Sequence, residues 1–125
     1  MSLFSLGDFT LASGQKSPYK IDCDALSRED WRCLAYLASR IQPPFGPVEG
    51  VPRGGLAFAQ ALQSYSQPGA PLLIADDVWT TGGSMARQRA DRPALGIVAF
   101  ARGPLLPWAR AIFTLEAVCS SAPGA

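Results

Sequence analysis

At 125 residues and 13.3 kDa the sequence suffices for one domain with a single core and leaves no room for a second. Hydrophobic residues make up 48% and charged residues 17%, which excludes global disorder. Nine arginines and two lysines against ten acids leave a net charge of +1, excluding nucleic-acid binding through bulk charge, and the absence of histidine excludes a Ser/His/Asp triad, a Cys/His dyad or a His-ligated zinc site.

In chain order, the segments Phe9–Leu11 and Tyr19–Ile21 flank Ser13-Gly14 and Ser17-Pro18, and predict a short hairpin near the N-terminus. Ser27 and Asp30 have the spacing of a capping box. Trp31, Leu34, Ala35, Ala38 and Ile41 then recur at helical spacing until Pro43-Pro44 ends the run. Pro47–Val51 reads as a short buried strand, Pro52–Gly55 as a turn, and Leu56 to about Ser64 as a second helix. Leu72–Ala75 is an apolar run of strand length that ends in Asp76-Asp77. It leads through Thr80–Ser84 into a short polar helix reaching about Ala90. Leu95–Ala101 and a segment near Ile112–Val118 complete the strands. Strands alternating with helices through short glycine loops predict an α/β fold with an open, mainly parallel sheet and flanking helices, whose ligands bind at the carboxyl ends of the strands.

Cys23, Cys33 and Cys119 are odd in number and widely spaced, as reduced structural thiols are rather than a disulfide framework or a metal knuckle. The longest apolar stretch, Ala94 to Ala101, is far too short to span a bilayer, so a soluble, cytoplasmic protein is expected, with neither membrane nor nucleic acid among its partners.

The chemistry concentrates in Leu72–Ser84, LLIADDVWTTGGS. A strand that delivers two adjacent carboxylates to its exposed end, followed by a loop of glycines and hydroxyls opening a helix, suits a phosphorylated sugar. Glycine allows close backbone approach, free N–H groups and the hydroxyls of Thr80, Thr81 and Ser84 donate to a phosphate, and Asp76 and Asp77 accept from vicinal hydroxyls or hold a hydrated Mg²⁺. As local structure alone, TTGGS is a cap between strand and helix, but two carboxylates at a strand end serve no packing purpose. Gly50–Gly55 is a second glycine loop, with Arg53 able to clamp a pair of diphosphate oxygens.

LLIADDVWTTGGS resembles the phosphoribosyl-diphosphate (PRPP) motif of the type I phosphoribosyltransferases, and Gly7–Asp22 resembles the opening of orotate phosphoribosyltransferase. The resemblance implies a small N-terminal hood at 1–26 on a core at 27–118, with a tail at 119–125. It implies a PRPP site made of Pro52, Arg53, Gly54, Asp76, Asp77, Val78, Trp79, Thr80, Thr81, Gly82, Gly83 and Ser84. Within it the acids meet the ribose hydroxyls and, through water, Mg²⁺, the loop from Thr80 holds the 5-phosphate, and Arg53 meets the diphosphate. Lys20, Ile21, Thr80 and Arg102 are implied to meet the base. Trp79 is weighed between stacking over the ligand and packing in the core, the latter favoured. The implied activity is transfer of the phosphoribosyl group of PRPP to a nucleobase, an orotate-like pyrimidine first, with release of pyrophosphate by a homodimer. Two features depart from the family: the hairpin and mobile basic loop expected before the PRPP strand are reduced to Gln63–Pro71, which contains no basic residue, and the hood lysine is replaced by Ala12. The alternative expectation is a non-catalytic sensor or regulator that binds PRPP or a nucleotide; a structural interaction module would explain Trp108 and the apolar tail but not the acid pair.

Overall fold

In a computed structural model that describes residues 1–11 and 13–115, four strands form one parallel sheet in the order β3-β4-β5-β6, and a separate antiparallel hairpin, β1-β2, precedes it. The hairpin comprises β1 (Phe4–Thr10) and β2 (Lys16–Ile21), with an irregularity in register between Leu6 and Phe9. It is longer than the sequence pattern indicates, because polar residues alternate into it on an open face.

Helix α1 (Arg28–Ile41) begins in the expected capping box: the Ser27 hydroxyl accepts from Asp30 N–H, and the Asp30 carboxylate accepts from Ser27 N–H. The second bond leads the causes that hold the Asp30 carboxyl below its ordinary range. Replacing Ser27 by alanine frees a helix N–H with no other partner and is expected to cost about 1 kcal/mol in thermal or denaturant unfolding. Strand β3 (Val48–Gly50), helix α2 (Leu56–Leu62), strand β4 (Leu73–Trp79), helix α3 (Gly83–Arg89), strand β5 (Leu95–Ala101) and strand β6 (Ala109–Thr114) follow. Between α2 and β4 the described chain is a 3-10 turn at Gln63–Tyr65 and a loop, with no strand pair.

Two clusters cover the two faces of the sheet. Trp31, Leu34, Ala35 and Ala38 of α1 and Phe58 and Leu62 of α2 pack on Leu73, Ala75, Ile97 and Ala99. Met85 of α3, with Val51, Trp79 and Ala94, packs on Ile74 and Val98. Among the described residues no helix is long and apolar enough to cross a membrane.

Four expectations are corrected. Strand β4 does not stop at Ala75 but carries both aspartates within it to Trp79, because parallel pairing with β5 continues to Trp79↔Ala101. Helix α2 closes at Leu62 and tightens into the 3-10 turn instead of running to Ser64. Strand β6 starts at Ala109, three residues before the expected Ile112: Gly96 has no side chain to fend off Trp108, whose ring would lie 2.8 Å from a Cβ there, so Ala109 pairs with Gly96. Cys23 is buried as a structural thiol is, but Cys33 is exposed on α1; both are free. Cys119, Ala12 and residues 116–118 of the expected last strand lie outside the described residues.

Candidate functional site

The carboxyl ends of β3 and β4 carry the two glycine loops, and each loop lines its own cavity. The larger, about 1210 Å³, is bounded by Ile21, Asp22 and Cys23 after the hairpin, by Trp31 and Arg32 of α1, by Arg53, Gly54 and Leu56, and by Asp77. The smaller, about 260 Å³, is bounded by Asp76 and Val78, the loop Thr80–Ser84, Arg87 of α3 and Ser13 of the hairpin turn. The two aspartates thus stand at the junction: Asp76 faces the loop that opens α3, and Asp77 faces Arg53 and Gly54.

Ordinary alternation produces this divided placement, since Asp76 stands on the face of Ile74 and Asp77 on the face of Ala75. Leu73 and Ala75 pack into one cluster and Ile74 into the other, yet Val78 joins the first and Trp79 the second, which reverses the two-residue period. The reversal falls just after the acids, between Asp77 and Val78, where each carboxylate binds the next backbone N–H: Asp76 Oδ1 accepts from Asp77 N–H at 2.8 Å and Asp77 Oδ1 accepts from Val78 N–H at 2.7 Å. Asp76 is 8% exposed. Burial first, and then its hydrogen bond and charge interaction with Asp77, push its carboxyl up to about 8, so at neutral pH Asp76 is largely protonated and can donate as well as accept. Burial, followed by the charges of Asp77, Asp22, Asp24 and Asp76, likewise pushes the Cys23 thiol up to about 12, which removes it as a nucleophile.

The loop Pro52–Gly55 sits directly on β4. Val51 N–H donates to Ala75 O at 2.9 Å and Gly55 N–H to Val51 O at 2.8 Å, and the Pro52–Arg53 peptide is cis. At Gly54 an added Cβ would collide with Asp77 Oδ2, so the acid and the loop backbone are in contact. Pro52 and Arg53 are exposed. In the other loop Gly82 has φ of +83°, and a Cβ there would run into the Trp79 ring. That ring is in the core: Trp79 is 2% exposed, its Nε1–H donates to Pro104 O at 3.1 Å, and it meets Trp108 edge to face at 5.7 Å. Of the two readings of Trp79, packing prevails, although the residue also borders the smaller cavity. Trp108 is half-buried, with its ring against Trp79 and the Arg89 guanidinium 4.6 Å over it.

The residues implied for a base are only partly brought together. Ile21 lines the larger cavity and Thr80 the smaller; Lys20 is exposed with its ammonium 6.0 Å from the Phe9 ring, on neither wall. Arg102, expected to face a base, is instead 8% exposed: its guanidinium lies 4.0 Å over the Tyr19 ring and donates to the Ser17 hydroxyl and to Tyr19 O. It pins the hairpin to the end of β5, beside Thr80, whose carbonyl would lie 2.7 Å from a Cβ at Gly103. Sequence reasoning missed Ser13, Arg87 and the Asp22–Trp31 wall of the larger cavity; none belongs to a motif, and only the folded hairpin and α1 bring them there.

This architecture, a parallel sheet with helices on both faces, a hairpin at the carboxyl ends and two loops straddling paired acids, is the type I phosphoribosyltransferase fold. An orotate phosphoribosyltransferase of Aeropyrum pernix superposes with a TM-score of 0.67 at 23% identity, over 90% of this chain and 88% of that one. Orotate phosphoribosyltransferases of Mycobacterium tuberculosis (TM-score 0.64, 16% identity, 90% and 89% covered) and Francisella tularensis (0.59, 14%, 90% and 80%) are similar in structure too. No protein-family model matches the sequence, and no curated protein does.

Proposed function

We propose that the protein is a phosphoribosyltransferase that moves the phosphoribosyl group of PRPP to a nucleobase, an orotate-like pyrimidine first, and releases pyrophosphate. The observation that supports this most is the position of the acid pair between two cavities of different chemistry: one lined by Thr80–Ser84, the other by Arg53 and Gly54. PRPP has that layout, a ribose with a monophosphate at one end and a diphosphate at the other.

On this reading Asp76 and Asp77 hydrogen-bond the ribose hydroxyls, Asp76 as donor and acceptor and Asp77 as acceptor. The hydroxyls of Thr80, Thr81 and Ser84, the loop N–H groups and Arg87 surround the 5-phosphate, and Arg53 takes the diphosphate oxygens. A nitrogen of the base attacks the anomeric carbon as the bond from that carbon to the diphosphate oxygen breaks, and the proton that nitrogen carried passes to water. The electron pair leaves with the diphosphate and the sugar passes through an oxocarbenium-like state. Such a reaction asks the protein for positioning and charge neutralisation, not for a covalent nucleophile, and a chain without histidine meets that demand. Among the described residues no group of three or more acidic, cysteine or histidine side chains could cage a metal. On this reading Asp76 and Asp77 would hold Mg²⁺ through its water shell, an ion that, when bound, would neutralise diphosphate charge.

A second reading has one observation of its own: the connection from α2 to β4 is short and carries no basic residue, so this segment supplies no cationic lid for the diphosphate. It makes the protein a PRPP or nucleotide binder without turnover. Both readings are tested by pyrophosphate release with PRPP, Mg²⁺ and a panel of bases including orotate, alongside calorimetry with PRPP. Turnover with any base, lost in the double variant Asp76→Asn/Asp77→Asn, is the expected result. PRPP binding without turnover makes the protein a sensor, and PRPP binding untouched by the double variant removes the site assignment. A homodimer and a cytoplasmic place belong to the same proposal and follow from the resemblance.

A further inference from the structure

Glu49 lies in β3, shortly before the loop that holds Arg53, and its carboxylate is grasped from the far end of α3. Arg92 Nη1 donates to Glu49 Oε2 at 2.7 Å and Nη2 to Oε1 at 2.9 Å, a two-pronged pair; Nη2 also donates to Gln88 O at 2.7 Å. Gln88 Nε2 reaches Glu49 Oε1 at 3.4 Å and the carbonyl of Gly50 at 3.1 Å. The Arg92 hydrogen bond is the leading cause that holds the Glu49 carboxyl below its ordinary range. The turn carrying Arg92 is itself tied down by Arg92 N–H to Arg89 O at 3.1 Å and Ala94 N–H to Arg92 O at 2.8 Å. Glu49 and Arg92 side chains are 39% and 44% exposed. A pair so open to water adds little to stability, so stability is a poor reason for four convergent bonds at this point. Gly50 is the root of the loop: a Cβ there would lie 2.7 Å from Gly55 O, so the two ends of the loop are packed against each other.

We infer that Gln88 and Arg92 are positioning residues that fix the Gly50–Gly55 loop relative to α3, and so set the distance between the diphosphate and 5-phosphate ends of the site. The inference rests on the PRPP reading and adds to it a bracket that lies outside both cavities. It acts through Gly50 and touches no substrate.

The test is calorimetric binding of pyrophosphate and, separately, of ribose 5-phosphate, with Mg²⁺, to the wild type, Gln88→Ala, Arg92→Ala and the swap Glu49→Arg/Arg92→Glu. Expected is a loss of about tenfold in pyrophosphate affinity for the two single variants, with ribose 5-phosphate affinity and melting temperature nearly unchanged, and recovery in the swap. Unchanged pyrophosphate affinity, or equal weakening of both ligands, overturns the inference while leaving the PRPP reading intact. A wild type that binds neither ligand removes the PRPP reading and the inference with it.

Discussion

Gly54→Ala is expected to reduce PRPP affinity about a hundredfold. The added Cβ would collide with Asp77 Oδ2 and lie 2.7 Å from Cγ and 2.9 Å from Oδ1, so three atoms of one short side chain block it. Asp77 cannot swing aside freely, because its Oδ1 accepts the Val78 N–H at 2.7 Å. Either that bond breaks and the carboxylate leaves the ribose position, or the loop lifts from β4 and Arg53 leaves the diphosphate position. Both displace a group from a site where an ångström matters. Gly54 does not have positive φ, so alanine brings no backbone strain, and the loss of stability is held to about 1–3 kcal/mol of overpacking. Calorimetry with PRPP and Mg²⁺, paired with a thermal melt, separates the two effects; binding within a few-fold of the wild type would remove Gly54 and Asp77 from the site.

That contact also marks the limit of what the sequence discloses. Local signals were legible: the Ser27–Asp30 box predicts the start of α1, and the run LLIADD predicts the strand that carries the acids. The glycine loops were legible as loops because Gly and Pro punctuate the chain there. The reversal of faces after Asp77 was not. Adjacent acids in a strand are expected to point to opposite faces, as these do, but the shift that puts Val78 with Leu73 and Ala75 shows only in the folded strand, where each carboxylate accepts from the next N–H group. The environment of Arg102 was equally hidden, since Ser17 and Tyr19 lie 85 and 83 residues away along the chain. The bracket of Glu49 with Gln88 and Arg92 spans 39 and 43 residues and has no periodicity to betray it. Patterns within a dozen residues carry the elements; partners brought together by the crossovers of a parallel sheet carry the site.

Asp76→Asn is expected to stabilise the protein at about pH 8.5 by roughly 2 kcal/mol and to leave it unchanged near pH 4. The carboxyl is pushed up to about 8 from an ordinary 3.8, chiefly by burial. The folded state therefore keeps a proton that the unfolded chain gives up near pH 4. The stability this confers is complete below that pH, declines as pH rises, and is lost once pH passes the folded value. Fully sealed from water, such a rise corresponds to no more than about 6 kcal/mol; Asp76 opens on the smaller cavity, where solvent screening leaves about a third of it. Asparagine cannot ionise, and its Oδ1 can still accept the Asp77 N–H that Asp76 holds at 2.8 Å, so its stability does not fall along this limb. In melting curves the variant and wild type coincide near pH 4 and separate by several degrees at about pH 8.5, the variant higher. Coincidence at both pH values, or a variant less stable at the higher one, would show that Asp76 is not held protonated.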